Sequence, residues 1–210
     1  MTIQPIVEGH GEVAAFPILL RRLQDAAVNY DFGIGHPIRR KRSELVIEAK
    51  LRTAVQLAKG TPDCIGILIL LDADDDAACT KGPQLLSWAR AEAGEIPCEV
   101  VLANREYEAW FLASMESLRG RCGISGAATS LAAPESIRDA KGAVQAQMTP
   151  RVAYSPTAHQ PSLTAAMNLA QVHLACQSFQ KLVRAFSAFC LSAGIALPDE
   201  WPPAGWVMGN

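Results

Sequence analysis

The chain has 210 residues, half of them hydrophobic and 19% charged, which suits one globular domain able to bury a sizeable core. A formal net charge of -2 excludes a general attraction to nucleic acid or anionic membranes, so any basic site has to be local. No basic n-region leads into an apolar signal core, and the longest apolar run, Cys64 to Leu71, is too short to cross a bilayer. The six cysteines show neither Cys-x-x-Cys nor zinc spacing. The expectation is a cytoplasmic protein with reduced thiols.

In chain order, "TIQPIVEG" predicts a strand ending near Glu8. "GEVAAFPILLRRLQDAA" has helical spacing through Val13, Phe16, Leu19, Leu20 and Leu23, with Pro17 marking a kink or a late start. "YDFGIGHPI" predicts a second strand, and Ser43 caps a predicted helix running to about Lys59. "CIGILILLDADDD" is the clearest strand, its unbroken apolar run suiting a parallel strand covered on both faces. A helix from about Lys81 to Ala93 follows, then the strand "CEVVLA" and a helix "REYEAWFLASM" capped by Asn104.

This alternation predicts an α/β fold: a mainly parallel sheet of four strands or slightly more, flanked by helices. After Arg119 a Gly-, Ala- and Ser-rich loop precedes helices expected over about 136–147, 163–174 and 178–191, then a Pro- and Trp-rich tail. The expected division is a core over 1–118 and a loop with helices over 119–210, packed on it as one unit.

Three carboxylates fall at predicted strand ends: Glu8 after the first strand, Asp72 and Asp74 after the third. In an open α/β sheet those ends line the ligand crevice. Positions i and i+2 of a strand share a face, so Asp72 and Asp74 can meet one target. Gly9 and Gly11 let the chain turn after Glu8 and keep side chains away. Close carboxylates repel by about 4 kcal/mol per pair at about 4 Å and an effective dielectric near 20. A proton or a bound cation must relieve that, and hard oxygen ligands favour Mg2+ or Mn2+. Alternatively, "DADDD" is solvated loop charge, with Asp75 or Asp76 capping the next helix.

At "VEGHGE" and "LLDADDD" the sequence resembles the Toprim family, in which a glutamate after the first strand pairs with an Asp-x-Asp after a later one. More narrowly it resembles domain-of-unknown-function family 4276, through "REYEAWFLAS", Lys141 and Tyr154, and "SFQKL". Toprim proteins cut, join or prime nucleic acid with magnesium. The resemblance implies that Asp72 and Asp74 hold the ion, that Glu8 is base or co-ligand, and that Glu12 assists. It also permits coupling to an ATPase subunit, as in related bacterial defence systems. One departure is that Asp75, Asp76 and Ala77 stand where the Asp-x-Asp of Toprim enzymes is followed by glycine.

Other residues complete the candidate site. "RRKR", Arg39 to Arg42, sets cations before a helix start, against the dipole, which points to phosphate contacts by Arg40, Lys41 and Arg42. Arg105 is a further phosphate candidate, Asp76 and Glu108 would support the ligands, and Lys181 would supply a transition-state cation. Trp110 and Phe111 read as core. Two other classes use similar features. A nucleotide-sugar glycosyltransferase carries an Asp-x-Asp after an apolar strand, and a silent Toprim-shaped partner subunit would bind without cutting.

Overall fold

The computed structural model describes residues 1–206. Strand β1 (Thr2–Val7) leads into helix α1 (His10–Ala27), which runs through Pro17 and needs no late start. Two short strands follow, β2 (Gly33–Ile34) and β3 (Ile38–Arg39), and both pair in parallel with β1. The single second strand expected over Tyr30–Ile38 is therefore split. Pro37, which has no amide proton for the ladder, falls in the gap.

The helix expected from Ser43 is broken into α2 (Arg42–Leu45) and α3 (Glu48–Lys59), and Lys41 rather than Ser43 occupies its N-cap. The break falls at Val46 and Ile47, where Ile47 is extended (φ -105°, ψ 121°) and two β-branched side chains disfavour helix. Strand β4 (Cys64–Asp72), helix α4 (Ala78–Ala93) and strand β5 (Cys98–Ala103) follow. Helix α5 is short (Ala109–Ala113), so Asn104 does not cap it and residues 104–108 form a turn.

Beyond it lie α6 (Ala140–Ala146), α7 (Pro156–Ala166), α8 (Leu169–Ala175) and α9 (Gln177–Ser192). The helix expected over 163–174 is interrupted because Asn168 starts α8 anew, its side chain accepting from the Gln171 amide at 3.1 Å. In the tail, Trp201 packs on Phe186 (ring centroids 5.6 Å apart) and Trp206 is buried. The last residues of the expected tail, 207–210, lie outside the described residues.

The fold is α/β, with five parallel strands flanked by nine α-helices among the described residues. The sheet order is β2-β1-β4-β5, with β3 also alongside β1. Strand side chains alternate between two buried faces. Leu68, Leu70, Val101 and Ala103 join α1, α5 and the later helices in one core, whereas Ile67, Ile69, Leu71, Val100 and Leu102 pack on α3 and α4 in the other. That two-sided burial is why β4 reads as an unbroken apolar run. Among the described residues no helix is long and apolar enough to cross a membrane.

Candidate metal centre at the carboxyl edge of the sheet

The strand register sets the site. Val7 pairs with Leu70 and Asp72 with Ala103, so Glu8, Asp72 and the turn after β5 share one edge of the sheet. Asp72 continues the Leu68–Leu70 row and faces the side of α1 and the C-terminal helices. It is 6% exposed, and its Oδ1 accepts the Tyr107 amide proton at 2.8 Å.

Asp74 reaches the same place by another route. The strand ends at Asp72, and Asp74 sits beyond it in left-handed backbone (φ 50°), exposed. Arg105 after β5 is left-handed too (φ 65°). The Asp74 amide donates to the Arg105 carbonyl at 2.9 Å, and Arg105 Nη1 donates to the Asp74 carbonyl at 3.1 Å. These reciprocal bonds draw the two loops together. One oxygen each from Asp72, Asp74 and Glu106 consequently lies within 4.8 Å of the others. The strand alternation expected to align Asp72 with Asp74 is replaced by a turn. The left-handed position is Asp74 itself, so the glycine absent after it has no conformational task here.

Behind this trio lies a second layer of acids. Lys141, at the start of α6, reaches Glu106 Oε1 at 2.7 Å, Asp72 Oδ2 at 3.4 Å and Glu108 Oε2 at 3.5 Å. Its backbone amide also donates to Glu106 Oε2 at 2.9 Å. Glu108 is fully buried, and its Oε1 accepts from Tyr154 Oη at 2.8 Å and from Gln160 Nε2 at 2.9 Å. The same Gln160 amide donates to Glu12 Oε1 at 3.1 Å, so one side chain from α7 ties two carboxylates together. Among the described residues, Glu8 Oε2, Glu12 Oε2, Glu108 Oε2 and Gln160 Oε1 are buried without a hydrogen-bond partner.

The electrostatics follow from this crowding. Burial, then Glu12 and Asp74, push the Glu8 carboxyl from 4.5 to about 7, against partial relief from the Asp72 backbone and Arg42. Burial, then Glu8, raise Asp72 well above the usual carboxylate range, with Lys141 opposing. Burial raises Glu12 as well, and Gln160 opposes that. Burial alone would lower Lys141, but Glu108, Asp72 and Glu106 outweigh it and hold the ammonium firmly charged. A set of hard carboxylate oxygens, several of them orphaned, fits a divalent cation of the magnesium or manganese type.

The glycines after Glu8 serve space rather than turn geometry. Gly9 is extended (φ -96°, ψ 163°), and a Cβ there would overlap the Glu12 carboxylate. A Cβ on Gly11 would overlap the Gln160 amide and stand 3.0 Å from the Pro156 carbonyl carbon. The expected need for a tight turn is thus replaced by a need for room, through which Glu12 folds in and α7 crosses α1.

The remaining sequence candidates separate. Arg42 is committed internally: its guanidinium donates to the Asp72 and Ala73 carbonyls at 3.1 Å each and pairs with Asp74 at 3.1 Å and with Asp76. Asp76 therefore braces Arg42, and neither it nor Asp75 caps α4, whose N-cap is Ala77. Arg105 pairs with Asp75 at 2.9 Å. Arg40 and Lys41 form no ion pair among the described residues, and Lys41 is exposed.

Lys181 is not brought to the carboxylates. It lies beside Gly82 of α4 and lines a different cavity, while Lys141 supplies the cation at the acids. Trp110 and Phe111 are fully buried, as expected of core. Sequence reasoning had no place in the site for Glu106 or Gln160. Lys141 and Tyr154 entered only through the family resemblance.

A parallel sheet with acids converging at its carboxyl edge defines an α/β protein with a candidate hard-metal centre. The chain belongs to the family described as Domain of unknown function (DUF4276), whose model matches residues 7–187. No curated protein and no solved structure matches the chain significantly.

Proposed function

We propose that the chain is a divalent-metal-dependent phosphodiesterase acting on nucleic acid, with Mg2+ or Mn2+ as its ion. The observation that carries this reading is the approach of Asp72, Asp74 and Glu106 oxygens to within 4.8 Å of one another. Behind them, orphaned buried carboxylate oxygens call for more positive charge than Lys141 supplies. The resemblance of "VEGHGE" and "LLDADDD" to Toprim motifs supports the same reading, and with it an ATPase subunit as partner.

Asp72, Asp74 and Glu106 would hold the ion, with Glu8 as further ligand or as base. Bound there, a hard divalent ion stabilises charge on a phosphoryl oxygen and makes water a better nucleophile at neutral pH. Glu8, with its carboxyl near 7, can take up a proton at working pH. Lys141 pairs with Glu106 and Asp72 and holds both carboxyl groups in place. Arg42 fixes the Asp74 loop, and Arg40 and Lys41 remain available to substrate phosphates.

The test is cleavage of plasmid and single-stranded DNA or RNA by purified protein with magnesium or manganese. Cleavage should disappear with chelator and fall by about 100-fold or more in Asp72→Asn. Absence of cleavage with either ion, alone and with an ATPase partner, would instead assign a silent partner subunit.

A further inference from the structure

Helix α9 carries Lys181 and Arg184 three residues apart, a spacing that sets them on one face. Like charges so placed repel each other. Neither forms an ion pair among the described residues. Lys181 is half-buried, and burial lowers its ammonium pKa. Arg184 and Arg90 add to that, while Glu99 opposes it but is already paired with Arg90. A desolvated ammonium without a committed counter-ion is costly unless an anion comes from outside.

Both cations line a cavity of about 260 Å3, together with Ala78 and Cys79 from the first turn of α4 and Asn104 from the turn after β5. Helix α4 has no acidic residue in its first turn and no side-chain cap, so its dipole adds to the positive character of this wall. The neighbouring start of α9 is different: Glu135 accepts from the Gln177 and Ser178 amides at 2.9 Å each. There the chain supplies its own carboxylate at one end of the cavity lining, whereas the carboxylate that acts on Lys181, Glu99, is held by Arg90. Asn104 directly precedes Arg105, so the cavity lies at the same sheet edge as the carboxylates.

We infer that this cavity binds a phosphate group, held by Lys181, Arg184 and Asn104. The source favoured by its position is the backbone of a nucleic-acid strand reaching the candidate metal centre. That choice of source rests on the nuclease reading, whereas phosphate binding itself does not.

The experiment is done in chelator, so that no divalent ion contributes. Inorganic phosphate is titrated while alkylation of Cys79 by iodoacetamide is followed by peptide mass spectrometry. Cys122, exposed and outside the cavity lining, is the internal reference. In parallel, a short single-stranded oligonucleotide is titrated by fluorescence anisotropy at several salt concentrations.

Phosphate should slow alkylation of Cys79 and leave Cys122 unchanged. The double variant Lys181→Met, Arg184→Met should abolish that protection. It should also weaken the oligonucleotide by about tenfold and lower its salt slope by about 1–2. Protection by phosphate with unchanged oligonucleotide affinity would keep the site and assign it to free phosphate. Failure of phosphate to protect Cys79 in the unmodified protein, with oligonucleotide affinity indifferent to the double variant, would overturn the proposal. Asp72→Asn should retain the protection, so loss of cleavage would not count against this cavity.

Discussion

The acids at the carboxyl edge of the sheet form two groups with opposite electrostatics. Asp74, Asp75 and Asp76 are exposed, and each meets an arginine: Arg42 with Asp74 and Asp76, Arg105 and Arg138 with Asp75. Glu8, Glu12, Asp72 and Glu108 lie inward, where Lys141 is the cation that reaches Asp72 and Glu108. Exposed ion pairs contribute about 0–1 kcal/mol each, so the outer group shapes a loop. A buried, poorly compensated charge costs several kcal/mol, so the inner group calls for positive charge. Asp72 and Asp74 are two residues apart in sequence and belong to different groups.

Breaking the inner group should have the largest effects. Asp72→Asn should abolish metal-dependent cleavage and also the rise in Tm on adding magnesium, read by thermal melts with and without the ion. Lys141→Met leaves Asp72, Glu106 and Glu108 without their shared cation. With the Lys141 side chain 39% exposed and its pairs partly screened, the loss should cost about 1–3 kcal/mol at neutral pH without metal, measured by urea unfolding. Added magnesium should recover more stability in that variant than in the unmodified chain.

Glu8 sharpens the contrast through pH. Its carboxyl is raised from 4.5 to about 7 in the folded chain, so the native state holds the proton longer than the unfolded one. Its contribution to stability is therefore fully favourable below about 4.5 and falls away as pH rises to about 7. Glu8→Gln should flatten that slope by on the order of 2 kcal/mol, after allowance for partial solvent screening, in urea midpoints taken across the window. In the outer group, Asp75→Asn should change stability by less than about 1 kcal/mol in the same assay.

The same contrast explains what the sequence could reveal. Strands β4 and β5 were legible because burial on both faces leaves unbroken apolar runs ending at Asp72 and Ala103. Asp72, Asp74 and Glu8 were legible as carboxylates at strand ends. Glu106 was hidden because the acids of "NREYEAW" read as first-turn helix residues, whereas α5 begins only at Ala109 and Glu106 sits in a turn. Gln160 and Lys141 come from helices far along the chain, Lys141 lying 69 residues beyond Asp72, and no local periodicity encodes such a meeting. "RRKR" was read as one basic patch, yet Arg42 is turned inward onto the Asp72–Asp76 loop while Lys41 stays exposed.

Crystals soaked in manganese and measured at the metal's absorption edge address the proposed metal centre, where Asp72 of the inner group meets Asp74 of the outer one, most directly. An anomalous peak about 2 Å from carboxylate oxygens of Asp72, Asp74 and Glu106 is the predicted result. A map with no peak there at saturating manganese, or with its peak beyond reach of Asp72, would contradict the assignment of a hard cation to these acids.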